Sequence, residues 1–125
     1  MTVKFTELSI DCNDVEPVAE FWARALDYEI AERGEDSEGR PWVFVKDPGG
    51  GRPGLTFATV PETKTVKNRI HIDVNPSGTD QAAEVERLLG LGARRADVGQ
   101  GPDVGWVVLA DPEGNEFCVL RSRVD

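Results

Sequence analysis

Cysteine, histidine, tyrosine and methionine are all scarce in this chain, at two, one, one and one among 125 residues. Two cysteines, Cys12 and Cys118, make neither a C-x-x-C metal pair nor a dense disulfide framework, so a reduced, cytoplasmic protein is the expectation. A single histidine, His71, excludes the multi-histidine metal motifs. No run approaches the roughly 20 apolar residues that span a bilayer. The opening MTVKFTELSI lacks the uninterrupted apolar stretch of a secretory signal. Cations are in deficit: 14 Lys and Arg face 23 Asp and Glu, a net charge of −9. Nucleic acid and anionic membrane surfaces need clustered cations, so neither is an expected partner. No glycine-rich phosphate loop follows a strand and no Gly-x-Ser-x-Gly occurs; Gly49 to Gly54 reads as a turn.

What is present is ordinary for one compact domain over residues 1–125, with 39% hydrophobic and 30% charged residues. Its organisation shows in a repeat. WVFVKDPGG (Trp42 to Gly50) recurs as WVVLADPEG (Trp106 to Gly114), 64 residues on. Ile10-Asp11-x-Asn13 recurs as Ile72-Asp73-x-Asn75 at an offset of 62, which implies a small insertion or deletion between the echoes.

Each half parses alike. Lys4 to Asp11 alternates as a strand, with Phe5, Glu7, Ser9 and Asp11 on one face and Leu8, Ile10 and Cys12 on the other. Asp14 is a candidate N-cap, and Val18, Phe21, Trp22 and Ala25 form one apolar helix stripe. Strands are expected near Tyr28–Glu32, Trp42–Lys46 and Leu55–Val60, with GEDSEGR as a loop. The second half repeats the order. Arg69 to Asn75 is a strand with Ile70, Ile72 and Val74 opposite His71, Asp73 and Asn75. Thr79 or Asp80 caps a helix bearing Ala82, Val85, Leu88 and Leu89, which Gly90 and Gly92 end. Strands near Arg94–Val98, Trp106–Ala110 and Glu116–Arg121 follow. The polar segment 61–67, PETKTVK, is the linker between module one (about 1–60) and module two (about 68–125). The fold class is therefore α+β, two tandem βαβββ modules forming a curved mixed sheet around a cleft.

With FTELSIDCNDVEPVAEFWARAL, KNRIHIDV and LADPEGNEFCVL in place, nearly the whole chain resembles the glyoxalase/bleomycin-resistance/dioxygenase (vicinal oxygen chelate) superfamily, in its glyoxalase-like branch. The resemblance implies a homodimer and one divalent metal in the cleft. It places the four metal positions at Glu7, Thr56, His71 and Cys118, with a two-residue slip from Glu7 to Ser9 left open by the helix-start spacing. Threonine is a poor ligand, and a thiol suits soft zinc better than Mg, Mn or Fe. Glu116 shares the face of Cys118 and is the substitute if that strand shifts or bulges. The expectation is thus no cofactor, no stoichiometric divalent metal at the four positions, and a small organic molecule in the cleft. The alternative is a metal-dependent lyase, isomerase or dioxygenase. Metal-free acid–base chemistry by His71 and Glu7 is a third reading, with Asp73 orienting the imidazole. Against these stand a structural histidine hydrogen-bonded to its neighbours and a solvated strand carboxylate. Trp22 reads as helix-face core, Trp42 and Trp106 as packing or dimer contacts, and Cys118 as an inert buried thiol.

Overall fold

A computed structural model describes residues 1–97 and 105–125. The chain divides into two units, Met1–Thr63 and Lys64–Asp125, so the division falls inside the polar segment 61–67.

The first unit contains β1 (Glu7–Cys12), α1 (Val15–Leu26), β2 (Glu29–Glu35), β3 (Pro41–Lys46) and β4 (Gly54–Thr59). Its sheet runs β1-β4-β3-β2, parallel between β1 and β4 and antiparallel elsewhere. Asp14 occupies the N-cap of α1 without a side-chain capping bond, so packing must hold this helix. Val15, Val18, Ala19, Phe21, Trp22 and Ala23 are buried on it, and Phe21 meets Trp22 edge to face at 5.3 Å. Cys12, Val43, Val45, Leu55 and Phe57 supply the sheet side of that core. Each such large side chain contributes about 1.5–3 kcal/mol by leaving water. Ala25, expected in the stripe, is only half-buried. The strand β2 runs on to Glu35, past the expected Glu32, because a register shift between Ile30 and Glu32 lets it stay paired with β3. The turn that follows is closed by Asp36, whose carboxylate accepts from the N–H groups of Glu38 and Arg40.

The second unit repeats the order with β5 (Ile72–Val74), α2 (Gln81–Leu91), β6 (Arg94–Arg95), β7 (Val107–Ala110) and β8 (Glu116–Val119). Its sheet runs β5-β8-β7-β6 with the same parallel and antiparallel pattern. Among the described residues the fold is therefore α+β with two tandem βαβββ modules. The strands are shorter here, and α2 buries only Val85 and Leu88. Ala82, expected on its apolar stripe, is exposed. End contacts compensate. The Asp80 carboxylate accepts from Ala83 N–H at 2.9 Å, Gly92 closes the helix at φ 122°, and the Gln81 amide donates to Gly105 O and Val119 O. Ile70 lies outside β5 and is 74% exposed, because the strand begins only where β8 provides a partner. The strand expected over Arg94–Val98 is shorter, ending at Arg95, and Val98 itself lies outside the described residues.

Strand pairing settles how the halves correspond. Phe44 and Val108 are equivalent in the Trp-Val repeat, 64 residues apart. Phe44 lies beside Thr56, which lies beside Ser9; Val108 lies beside Cys118, which lies beside Asp73. Thus Ser9 corresponds to Asp73, Thr56 to Cys118 and, two residues earlier on the first strands, Glu7 to His71. The length difference sits in the hairpin after the Asp-Pro turn, which runs seven steps from Asp47 to Gly54 and five from Asp111 to Glu116. The Ile-Asp echo at 62 is two residues out of this register. Its asparagines nevertheless do equivalent work: Asn13 donates to Val60 O and Glu62 O, and Asn75 to Ser122 O.

Candidate functional site

Alternation decides which side chains share a face. In the second unit Asp73, Cys118 and Val108 form one row across three strands. His71 and Glu116 stand two residues before Asp73 and Cys118, so they flank the same row. On the opposite face Phe117, Val119 and Leu109 are fully buried in the core. The open face holds a cavity of about 380 Å³. Trp106, Val108 and Leu120 give it apolar walls, and His71, Asp73, Cys118, Lys67, Asn68 and Glu116 supply polar atoms.

Three of these groups converge. His71 Nε2 lies 3.2 Å from Asp73 Oδ1, and the ligating atoms of His71, Asp73 and Cys118 are all within 4.8 Å of one another. Burial pushes the Cys118 thiol pKa up, and the Asp73 charge and its hydrogen bond to the thiol push it further. Both effects favour the protonated thiol over the thiolate. Asp73 serves two neighbours, a role that alternation alone cannot show.

Glu116 is occupied elsewhere. Its carboxylate accepts from Lys64 Nζ at 2.8 Å and from Asn68 N–H at 3.1 Å. Burial pushes its pKa up, but the Lys64 and Asn68 hydrogen bonds outweigh this and hold it below the ordinary glutamate value. The carboxylate thereby fixes the segment that carries Lys67 and Asn68 into the cavity wall.

In the first unit, Glu7 and Thr56 are joined directly: the Thr56 hydroxyl donates to Glu7 Oε2. The strand register makes Glu7, two residues before Ser9, the counterpart of His71. The two tryptophans part company despite their equivalent places. The Trp42 ring covers Gly34, where an added Cβ would lie 2.4 Å from it. Trp106 is 41% exposed and lines the cavity, so packing does not account for it. Trp22 is core, as its helix stripe implies. No described helix is long and apolar enough to cross a membrane.

Residues 7–120 match the glyoxalase-like domain family. No curated protein sequence matches the chain. Solved structures share its fold at low identity. The fosfomycin resistance protein FosX from Mesorhizobium loti is 14% identical, with a TM-score of 0.72 over 98% of this chain and 94% of that one. FosX from Listeria monocytogenes, as the E126Q mutant complexed with Mn(II) and 1S,2S-dihydroxypropylphosphonic acid, is 14% identical, with a TM-score of 0.74 over 98% and 94%. A glyoxalase-related enzyme from Fulvimarina pelagi is 19% identical, with a TM-score of 0.65 over 94% and 86%.

Proposed function

The chain belongs to the glyoxalase-like domain family, and from that premise we propose that it binds a small, partly apolar organic molecule in the cavity of its second unit, without the hard divalent ion of the superfamily's enzymes. The observation that carries this reading is the cavity itself. An exposed indole, a valine and a leucine face a compact set of donors and acceptors, the usual make-up of a small-molecule pocket. Its volume of about 380 Å³ suits a compound of modest size. Lys67 and the His71–Asp73 pair offer orientation to a polar or anionic group, while Trp106 offers a stacking surface.

The residues at the four metal positions do not fit a hard ion such as Mg or Mn. Thr56 contributes a neutral hydroxyl already donated to Glu7, and Cys118 contributes a protonated thiol. Hard cations take oxygen ligands and gain little from a thiol. If the protein catalyses a reaction, its own residues supply acid–base chemistry. His71 Nε2 lies 3.2 Å from Asp73 Oδ1, so the carboxylate orients the imidazole toward a substrate bound in the cavity. Glu7 is the second candidate carboxylate. Homodimer formation and a cytoplasmic location accompany this reading.

The second reading, a metal-dependent lyase, isomerase or dioxygenase, draws on the Mn(II) in the Listeria FosX complex. Mass spectrometry of small molecules retained by the purified protein, with elemental analysis alongside, separates the two. Retention of an organic compound by the unmodified chain and its loss in Trp106→Ala supports the proposal. Stoichiometric Mn or Fe with no retained compound supports the second reading.

A further inference from the structure

The geometry points to a binding site for a thiophilic divalent ion, zinc before others, made by His71, Asp73 and Cys118 within the second unit alone. This goes beyond the organic-ligand reading and does not depend on it. It also differs from the four-position arrangement considered above, because Asp73 belongs to none of those positions and neither Glu7 nor Thr56 takes part.

The argument begins with the strands. The parallel pairing of β5 and β8 sets Asp73 beside Cys118, and alternation brings His71 onto the same face. Three donors of different chemistry thus meet: an imidazole nitrogen, a carboxylate oxygen and a sulfur, all within 4.8 Å of one another. Zinc holds such ligands at about 2.0–2.3 Å, which puts tetrahedral neighbours roughly 3.3–3.8 Å apart. Closing the gap takes about 1 Å. The side chains that must move are free to do so, since those of His71 and Asp73 are 44% and 50% exposed. Cys118 is held rigidly in the sheet and is buried.

The three side chains line the cavity of the second unit, so an ion held by them would have a fourth coordination position open to water or to a ligand atom. Three protein ligands and one open place is the pattern of zinc sites that handle small molecules. The donor set also selects the ion. A mixed nitrogen, oxygen and sulfur triad favours zinc or another borderline-soft cation over Mg or Ca, which take oxygen. On binding, the S–H bond of Cys118 breaks, the sulfur–metal bond forms and the proton passes to solvent.

Cobalt(II) titration of the full-length, chelator-treated protein tests this without any organic ligand. The expected result is saturation near one equivalent with a thiolate-to-cobalt charge-transfer band. Added zinc should abolish the band, and excess magnesium should leave it. Cys118→Ser should remove the band, and the exposed Asp73→Asn, which leaves the core untouched, should weaken cobalt binding at least about tenfold. Cys12→Ala should leave the band unchanged. Glu7→Ala should leave cobalt affinity unchanged, because the first unit supplies no ligand. Absence of binding, binding without a thiolate band, an unaffected Asp73→Asn, or equal loss in Glu7→Ala would each overturn the inference.

Discussion

The two units share a topology and differ in what stands on the face away from the helix. In the first, the Phe44 ring lies on Gly54, where an added Cβ would sit 2.5 Å from that ring, and Trp42 covers Gly34. In the second, Val108 takes the place of Phe44, Glu116 takes the place of Gly54, and the counterpart of Trp42 lines a cavity. The same division runs through the helices. The first has six buried residues and no side-chain cap bond; the second has two buried residues and a capped end. One copy of the module has its apolar groups in packing, and the other keeps a face open. Duplication permits this, since one copy can hold the fold while the other accepts polar groups that a tight core would exclude.

The largest effects should follow core truncation, and they should be unequal. Trp22→Ala, at a residue 1% exposed, should cost about 3–5 kcal/mol. Leu88→Ala on the second helix, at a residue 2% exposed, should cost about 2–3 kcal/mol, because a leucine removes fewer buried atoms than a tryptophan. Urea unfolding of the two variants checks the order, and a larger loss at Leu88 would break the comparison.

The repeated Asp-Pro turns offer a second contrast. Asp111 is fully buried and accepts from the N–H groups of Glu113 and Asn115 and from the Asn115 amide. Asp47 is half-buried, and its carboxylate accepts from Gly49 N–H. Asp111→Ala should therefore cost about 2–3 kcal/mol and Asp47→Ala about 1 kcal/mol or less, because the first removes a fully buried acceptor of three part-buried donors and the second an acceptor with an exposed one. Thermal unfolding of both variants reads the difference.

Gly54→Ala should cost about 1–3 kcal/mol, since its Cβ meets the Phe44 ring and, at 2.8 Å, the Val45 carbonyl oxygen. The ring can shift but the backbone oxygen cannot. A stability equal to that of the parent chain would show that the face covered by Phe44 is looser than its packing implies.

Much of this was legible in the sequence, and the gaps have physical causes. Alternation at Leu8, Ile10 and Cys12 marked the buried side of β1, and the Trp-Val repeat revealed the duplicated module. The pairing of β5 with β8 was not legible, because it joins residues about 45 apart in the chain with nothing local to mark it. For that reason Asp73 read as a partner of His71 and not as a neighbour of Cys118. Ile70 alternates correctly with Ile72 yet has no strand beside it. The Ile-Asp echo misled by two residues because the length difference lies in a glycine-rich hairpin that composition alone does not align.

A smaller effect concerns Cys118. Burial first, and then the Asp73 carboxylate, holds its pKa above that of an ordinary thiol. Only the thiolate reacts, so alkylation in a Cys12→Ala background should be slower than that of free cysteine at pH 8 and should rise with a midpoint above the usual one. Asp73→Asn should lower that midpoint, while burial keeps it above the free value. A midpoint at or below that of free cysteine would mean the cluster activates the thiol instead.

The central claim is that the second unit carries the binding face. Two-dimensional NMR of the labelled protein, titrated with small planar organic compounds bearing one anionic group, tests it most directly. The account predicts the largest shifts at the Trp106 indole N–H and at the His71, Asp73 and Cys118 amides, with little change at their counterparts Trp42, Glu7, Ser9 and Thr56. Shifts centred on those first-unit counterparts, with Trp106 and Cys118 unmoved, would contradict it.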